Sequence, residues 1–155
     1  MSNASRTPGP YTHADFVRLA LEAFPVLGDE FEDAEGLLHL QMHAFQRLTE
    51  RAARSGDWDL FRRCVHLATE LWQRPAPDLY NALNVSFLEH LNFEGPHGAE
   101  AWMRMTSDLK QGWEAMERYN RELLERGTPK SNVHPESSRK AEHGETARRP
   151  RGKRR

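Results

Sequence analysis

Apolar residues recur along this chain at the three- and four-residue spacing of amphipathic helices, and no segment shows the alternation of a strand. The first helix opens at Thr12, where Thr12 and Asp15 form a capping box with Asp in the place usual for Glu. Phe16, Leu19, Ala20 and Ala23 follow on one face, and Pro25, which disfavours a helical Phe24, ends the element. The acidic stretch GDEFEDAE suits the electropositive start of a second helix, read from about Asp33 to Arg54. Its inward face is Leu37, Leu38, Gln41, Ala44, Phe45, Leu48 and Ala52. Ser55 to Asp57 stop that helix and cap a third, Trp58 to Arg74. There Phe61, Cys64, Val65, Ala68, Leu71 and Trp72 oppose a polar stripe that includes Arg62, Arg63, His66 and Glu70.

RPAP breaks the chain again, and Asp78 opens a fourth helix containing NALNVSFLEHL, Asn81 to Leu91. At about 100° per residue, Leu79, Tyr80, Leu83, Phe87, Leu88 and Leu91, extended by Val85, cover more than half of its circumference. Such an arc suits a central helix touched on several sides. Ala82, Ser86 and Glu89 form the narrow back. Asn84 falls in the middle of the apolar face, and an unpaired buried amide costs roughly 1–3 kcal/mol. It is therefore expected as a structural polar residue of the core, bonded to backbone at a neighbouring helix end; the competing reading is a ligand-facing amide in a pocket. Glu89 and His90 point about 100° apart and form no dyad. Glu89 is expected to pair with an arginine, and His90 to sit at the edge of the packed face. After the turn NFEGPHG come a short helix, Ala99 to Met105, and a last one from about Asp108 to Arg126, with Leu109, Trp113, Met116, Tyr119 and Leu123 on one side. The pattern predicts an all-α fold, a compact bundle of five to six helices with antiparallel neighbours.

Composition refines this picture. Residues 1–11 are polar and rich in Ser, Pro and Gly, and read as a flexible leader; 12–126 read as a single helical domain. Residues 127–155 lack aromatics, are rich in Pro, Ser and charge, and read as a disordered basic tail. The net charge of -1 hides an asymmetry: nine basic and three acidic residues from Gly127 onward leave the tail at +6, and thirteen basic against twenty acidic leave the rest at -7. The single cysteine, Cys64, excludes an internal disulfide and a cysteine-rich zinc site, and its place in an apolar stripe marks a core residue. With no secretory leader and no apolar run near about 18 residues, the sequence reads as a soluble cytoplasmic protein.

Candidate chemistry is sparse. His39 and His43 stand at i and i+4, a spacing able to chelate a metal, and are the weak metal-ligand candidates. The residue after His39 is Leu40 where a metalloprotease motif has Glu, and Glu35 lies two turns from His43, about 12 Å, too far to share one ion. A solvated polar stripe with Gln46 and Glu50 is the default reading, and no cofactor is expected. No Gly-rich phosphate loop and no strained nucleophile turn exists. The tail RRPRGKRR suits phosphate contacts but has no interleaved aromatic for base stacking. The run Asp29, Glu30, Glu32, Asp33 and Glu35 suits a basic protein partner.

A Trp-containing helix, then P-D-L, then Asn-VSFLEHL, with the later WMRM and LKQGW, resembles a family of small all-helical bacterial proteins of unknown function, over roughly Phe16 to Tyr119. That resemblance implies no catalytic residues. In general character, small, acidic and helical, the chain is also similar to immunity proteins of bacterial toxin systems. The expected function is a non-enzymatic protein-binding domain, immunity-like or regulatory. The alternatives are a nucleic-acid-associated protein using the tail, or a metal-binding enzyme using His39 and His43.

Overall fold

Thr12 begins the first helix as its neighbours require: its side chain accepts from the Asp15 N–H while Asp15 Oδ2 accepts from the Thr12 N–H at 2.9 Å. Those Thr12 donors, with Arg18 beside them, hold the Asp15 carboxyl below the usual carboxylate range. The computed structural model describes residues 8–127; residues 1–7 of the leader and the tail from Thr128 lie outside the described residues. Seven α-helices follow in order: α1 (His13–Ala23), α2 (Gly28–Asp33), α3 (Leu38–Ser55), α4 (Trp58–Trp72), α5 (Pro77–Ala82), α6 (Gly95–Arg104) and α7 (Ser107–Gly127). Among the described residues the only extended pairing is an isolated bridge between Tyr11 and Pro75, so the fold is all-α. No helix among them is long and apolar enough to cross a membrane.

The second helix expected from Asp33 starts later, as α3 at Leu38, and the acidic residues before it form a short helix of their own, α2. Gly36 takes a φ of 75°, a left-handed conformation that side chains disfavour, and this turn separates α2 from α3. Gly56, at φ 72°, then closes α3 tightly against α4, with Asp57 capping the Leu60 N–H. The α3–α4 pair is the most extensive helix contact in the chain. The last helix but one starts earlier than expected, at Gly95, because Pro96 occupies its first turn, where a missing N–H costs nothing.

The core is an aromatic cluster organised around Phe45 of α3. Its ring stacks on Phe87 at 5.0 Å and lies 5.9 Å from both Phe16 and Phe24. Phe31 extends the cluster from α2 through its contact with Phe16 at 5.6 Å. The chain before α1 is tied in as well. Tyr11 exchanges backbone hydrogen bonds with Arg74 and Ala76, donates its hydroxyl to Glu70 at 2.8 Å, and carries the Arg74 guanidinium over its ring.

At Gly98 the α6 backbone lies close against the backbone of Phe93, just ahead of the helix. A Cβ there would lie 2.2 Å from the Phe93 carbonyl carbon, and backbone cannot swing aside as a side chain can. Gly98→Ala is therefore expected to destabilise the fold by about 1–3 kcal/mol in denaturant unfolding, the usual cost of overpacking; an unchanged midpoint would contradict this packing.

Candidate functional site

The segment after α5 does not continue as an α-helix. Leu83–Phe87 forms a π-helical turn and Leu88–His90 a 3₁₀ turn, and Leu91 is extended. Each change of winding leaves backbone groups without their helical partners. The polar side of α3 supplies contacts, one turn after another. His39 Nδ1 meets Ser86 Oγ at 2.7 Å, the His43 ring lies edge-on to His90 at 4.7 Å, Gln46 Nε2 donates to the His90 carbonyl at 2.9 Å, and Glu50 accepts the Asn92 N–H at 2.7 Å. The stripe read as solvated is thus a ladder between α3 and residues 86–92. The i, i+4 histidines belong to it, directed at Ser86 and His90. Among the described residues no group of three or more His, Cys, Asp or Glu is arranged to hold a metal ion.

Wound in this way, the segment buries Leu79, Ala82, Leu83, Ser86, Phe87, Leu88 and Leu91. The expected narrow back, Ala82 and Ser86, therefore faces the core, while Tyr80 and Val85 of the expected apolar arc are exposed. Small size, not polarity, decided the matter: Ala82 and Ser86 allow a close approach to α3. Asn84 is corrected with them. It is half-buried and outside the core; its Nδ2 donates to the Tyr80 carbonyl of its own helix at 3.0 Å.

Asn84 faces a groove of about 620 Å³ between the α5 segment and α7. Trp72 and Tyr80, with ring centroids 5.4 Å apart, form an aromatic wall, and Tyr119 of α7 adds a third ring. Asn81, Asn84, Gln111 and Asn120 bring amides, and Glu89 and Asp108 bring carboxylates. Gly112 admits this geometry: a Cβ there would stand 2.6 Å from Trp72 Cζ2 and 3.2 Å from Leu88 Cδ1. Beyond Leu109, α7 buries no residue; Tyr119 is 61% and Leu123 46% exposed, so the predicted inward stripe of this helix leaves the body after Met116. A glycine inside a long helix, costing about 1 kcal/mol relative to alanine, was the sequence signal for the groove.

The remaining candidates are placed as follows. Of the acidic run, Asp29, Glu32, Asp33 and Glu35 are exposed on or just after α2, and Glu30 pairs with Arg47. None of them lines the groove. Glu89 takes part in none of the ion pairs among the described residues, contrary to its expected arginine partner, and neither does Asp108, which accepts from Gln73 at 2.9 Å. Cys64 is buried, and burial pushes its thiol up to about 11, so it stays protonated at neutral pH.

A family model described as Domain of unknown function (DUF7674) matches residues 17–121, which span α1 to most of α7 and contain every groove-lining residue. The comparisons with curated proteins and with solved structures return no match.

The ladder has a pH dependence. Burial first, then repulsion from His90, Arg47 and His39, holds the His43 imidazole below its ordinary value of about 6.5. The folded chain thus binds this proton less readily than the unfolded chain. The His43 contribution is complete above about pH 6.5 and is lost as the pH falls below it, levelling off under the lowered folded value. In thermal unfolding from pH 8 to pH 5, His43→Phe should lose less stability on acidification than the parent; an identical decline would remove His43 as its source.

Proposed function

The chain belongs to the family Domain of unknown function (DUF7674), and we propose that its domain is a non-enzymatic binding module that receives a basic segment of a partner protein in the groove between α5 and α7. One observation carries this reading: among the described residues, the groove combines aromatic rings that carry no cation with carboxylates that form no ion pair. Four other aromatics of the domain already carry a cation, Arg63 over Phe24, Arg74 over Tyr11, Arg104 over Trp58 and Lys110 over Trp102. Among the described residues no such pairing involves Trp72, Tyr80 or Tyr119. An arginine laid on those rings gains the cation–π attraction and reaches Glu89 or Asp108 with its planar fork. The four amides suit the backbone of an extended peptide, which needs donors and acceptors in alternation. The acidic balance of the domain steers such a partner toward it. A cytoplasmic regulator, or an immunity-like neutraliser of a basic protein, is the use this surface suits.

The acidic run on α2 offers charge without aromatic faces, since its one ring, Phe31, is buried. The two surfaces are separated by experiment. In an NMR titration of the full chain with a short arginine-containing peptide, shifts are expected at Asn81, Asn84, Gln111, Gly112 and the Trp72 indole, and not with an acidic peptide of equal length. Shifts confined to Asp29–Glu35 would contradict the groove and make α2 the docking surface.

A further inference from the structure

We infer that the groove has a resident ligand in the chain's own C-terminal segment, RRPRGKRR (148–155), which competes with any external basic partner; this rests on the groove being a site for basic segments. The chemistry matches at each point. The eight residues carry five arginines and one lysine and no acid, and the groove offers two carboxylates, Glu89 and Asp108, and three aromatic rings to receive the cations. Glu89 and Asp108 are free of ion pairs among the described residues, and Trp72, Tyr80 and Tyr119 are free of cations. The segment has no aromatic or large aliphatic side chain, so it has nothing to bury in a core and something to gain only from charge and ring faces.

Reach matches as well. Arg148 stands 21 residues beyond Gly127, where α7 ends. A random coil of that length would have a root-mean-square span of about 25 Å. Back along α7, the groove extends from Asn120 to Asp108, which at 1.5 Å per residue is about 10 to about 28 Å from Gly127. A tether whose span equals the distance to be bridged gives the highest effective concentration, in the millimolar range. An intramolecular contact whose dissociation constant lies about tenfold below that concentration is then filled most of the time, and a partner must displace it. The partner's apparent affinity falls by the fraction of grooves left open. The acidic run on α2 is the electrostatic competitor, but it presents carboxylates alone and one of them, Glu30, is already paired with Arg47.

The test uses the full chain and a labelled synthetic peptide of sequence RRPRGKRR, followed by fluorescence anisotropy at low salt. Three chains are compared: the parent, a tail variant with Arg148, Arg149, Arg151, Lys153, Arg154 and Arg155 all changed to Ser, and that same variant carrying Glu89→Gln and Asp108→Asn. The expected result is that the tail variant binds the peptide about tenfold or more tightly than the parent, and that the two groove substitutions abolish the gain. Equal binding by the parent and the tail variant would overturn the resident ligand and leave the groove standing as a site. No binding by either, or binding that survives Glu89→Gln with Asp108→Asn, would overturn the groove reading and the resident ligand together. Circular dichroism of all three chains confirms that the helical content is unchanged.

Discussion

The hydrogen bond from the Gln46 side chain to the His90 carbonyl, with its neighbours one turn up and down α3, is the constraint on which the shape of this domain depends. A helix that changes from α to π to 3₁₀ winding within eleven residues cannot satisfy its own backbone. It persists only where another element supplies the missing partners. Helix α3 does so with residues spaced at 39, 43, 46 and 50, one side of one helix, while Phe45 and Met42 on its other side anchor the core. The same helix is therefore an apolar hub and a polar scaffold, and the two roles are fixed together by helical geometry. Breaking the Gln46 or the Glu50 rung would leave the His90 carbonyl or the Asn92 N–H short of a partner, at a cost of roughly 1–3 kcal/mol where water cannot replace it.

The groove is a consequence of that scaffold. Ala82 and Ser86 are buried, Ser86 against His39 of α3, and Tyr80, Asn84 and Glu89 line the groove against α7. Helix α7 comes close at Leu109 and Gly112 and packs Trp113 and Met116 against the core, and its later turns carry Tyr119 and Leu123 out into solvent. A groove with rings that carry no cation, beside carboxylates that form no ion pair, contrasts with the four rings elsewhere in the domain that do carry one. The groove has a cost, since a glycine in mid-helix weakens the helix by about 1 kcal/mol relative to alanine, and its return is the close approach of α7 to Trp72 and Leu88.

Periodicity made most of the helices legible. The capping box at Thr12, the stripe of Phe61, Cys64, Val65, Ala68 and Leu71, and the turn at Gly56 are each found where local chemistry puts them. What the pattern could not show depends on partners distant in sequence. Nothing local distinguishes an α from a π turn at Leu83–Phe87, and the apolar count favoured the face bearing Tyr80 and Val85. The polar side of α3 looked solvated because its partners lie more than 40 residues away and half of them are backbone groups. Asn84 was read as a core residue for the same reason, the face having been assigned one step round from where packing sets it. The short α2 was hidden because the acidic run suits the start of the helix that follows, whereas Gly36 turns the chain between the two.

The dependence of the groove on the α3 ladder is tested most directly by amide hydrogen exchange in the parent chain and in Gln46→Leu, which keeps the side-chain bulk and removes the donor to His90. Exchange should quicken over Leu83–Asn92 and over the facing turns of α7 from Gln111 to Met116, while Phe16–Ala20 of α1 keeps its protection. If exchange instead quickens evenly throughout the chain, or stays unchanged over Leu83–Asn92, the ladder does not hold the irregular segment in place and the account of the groove fails.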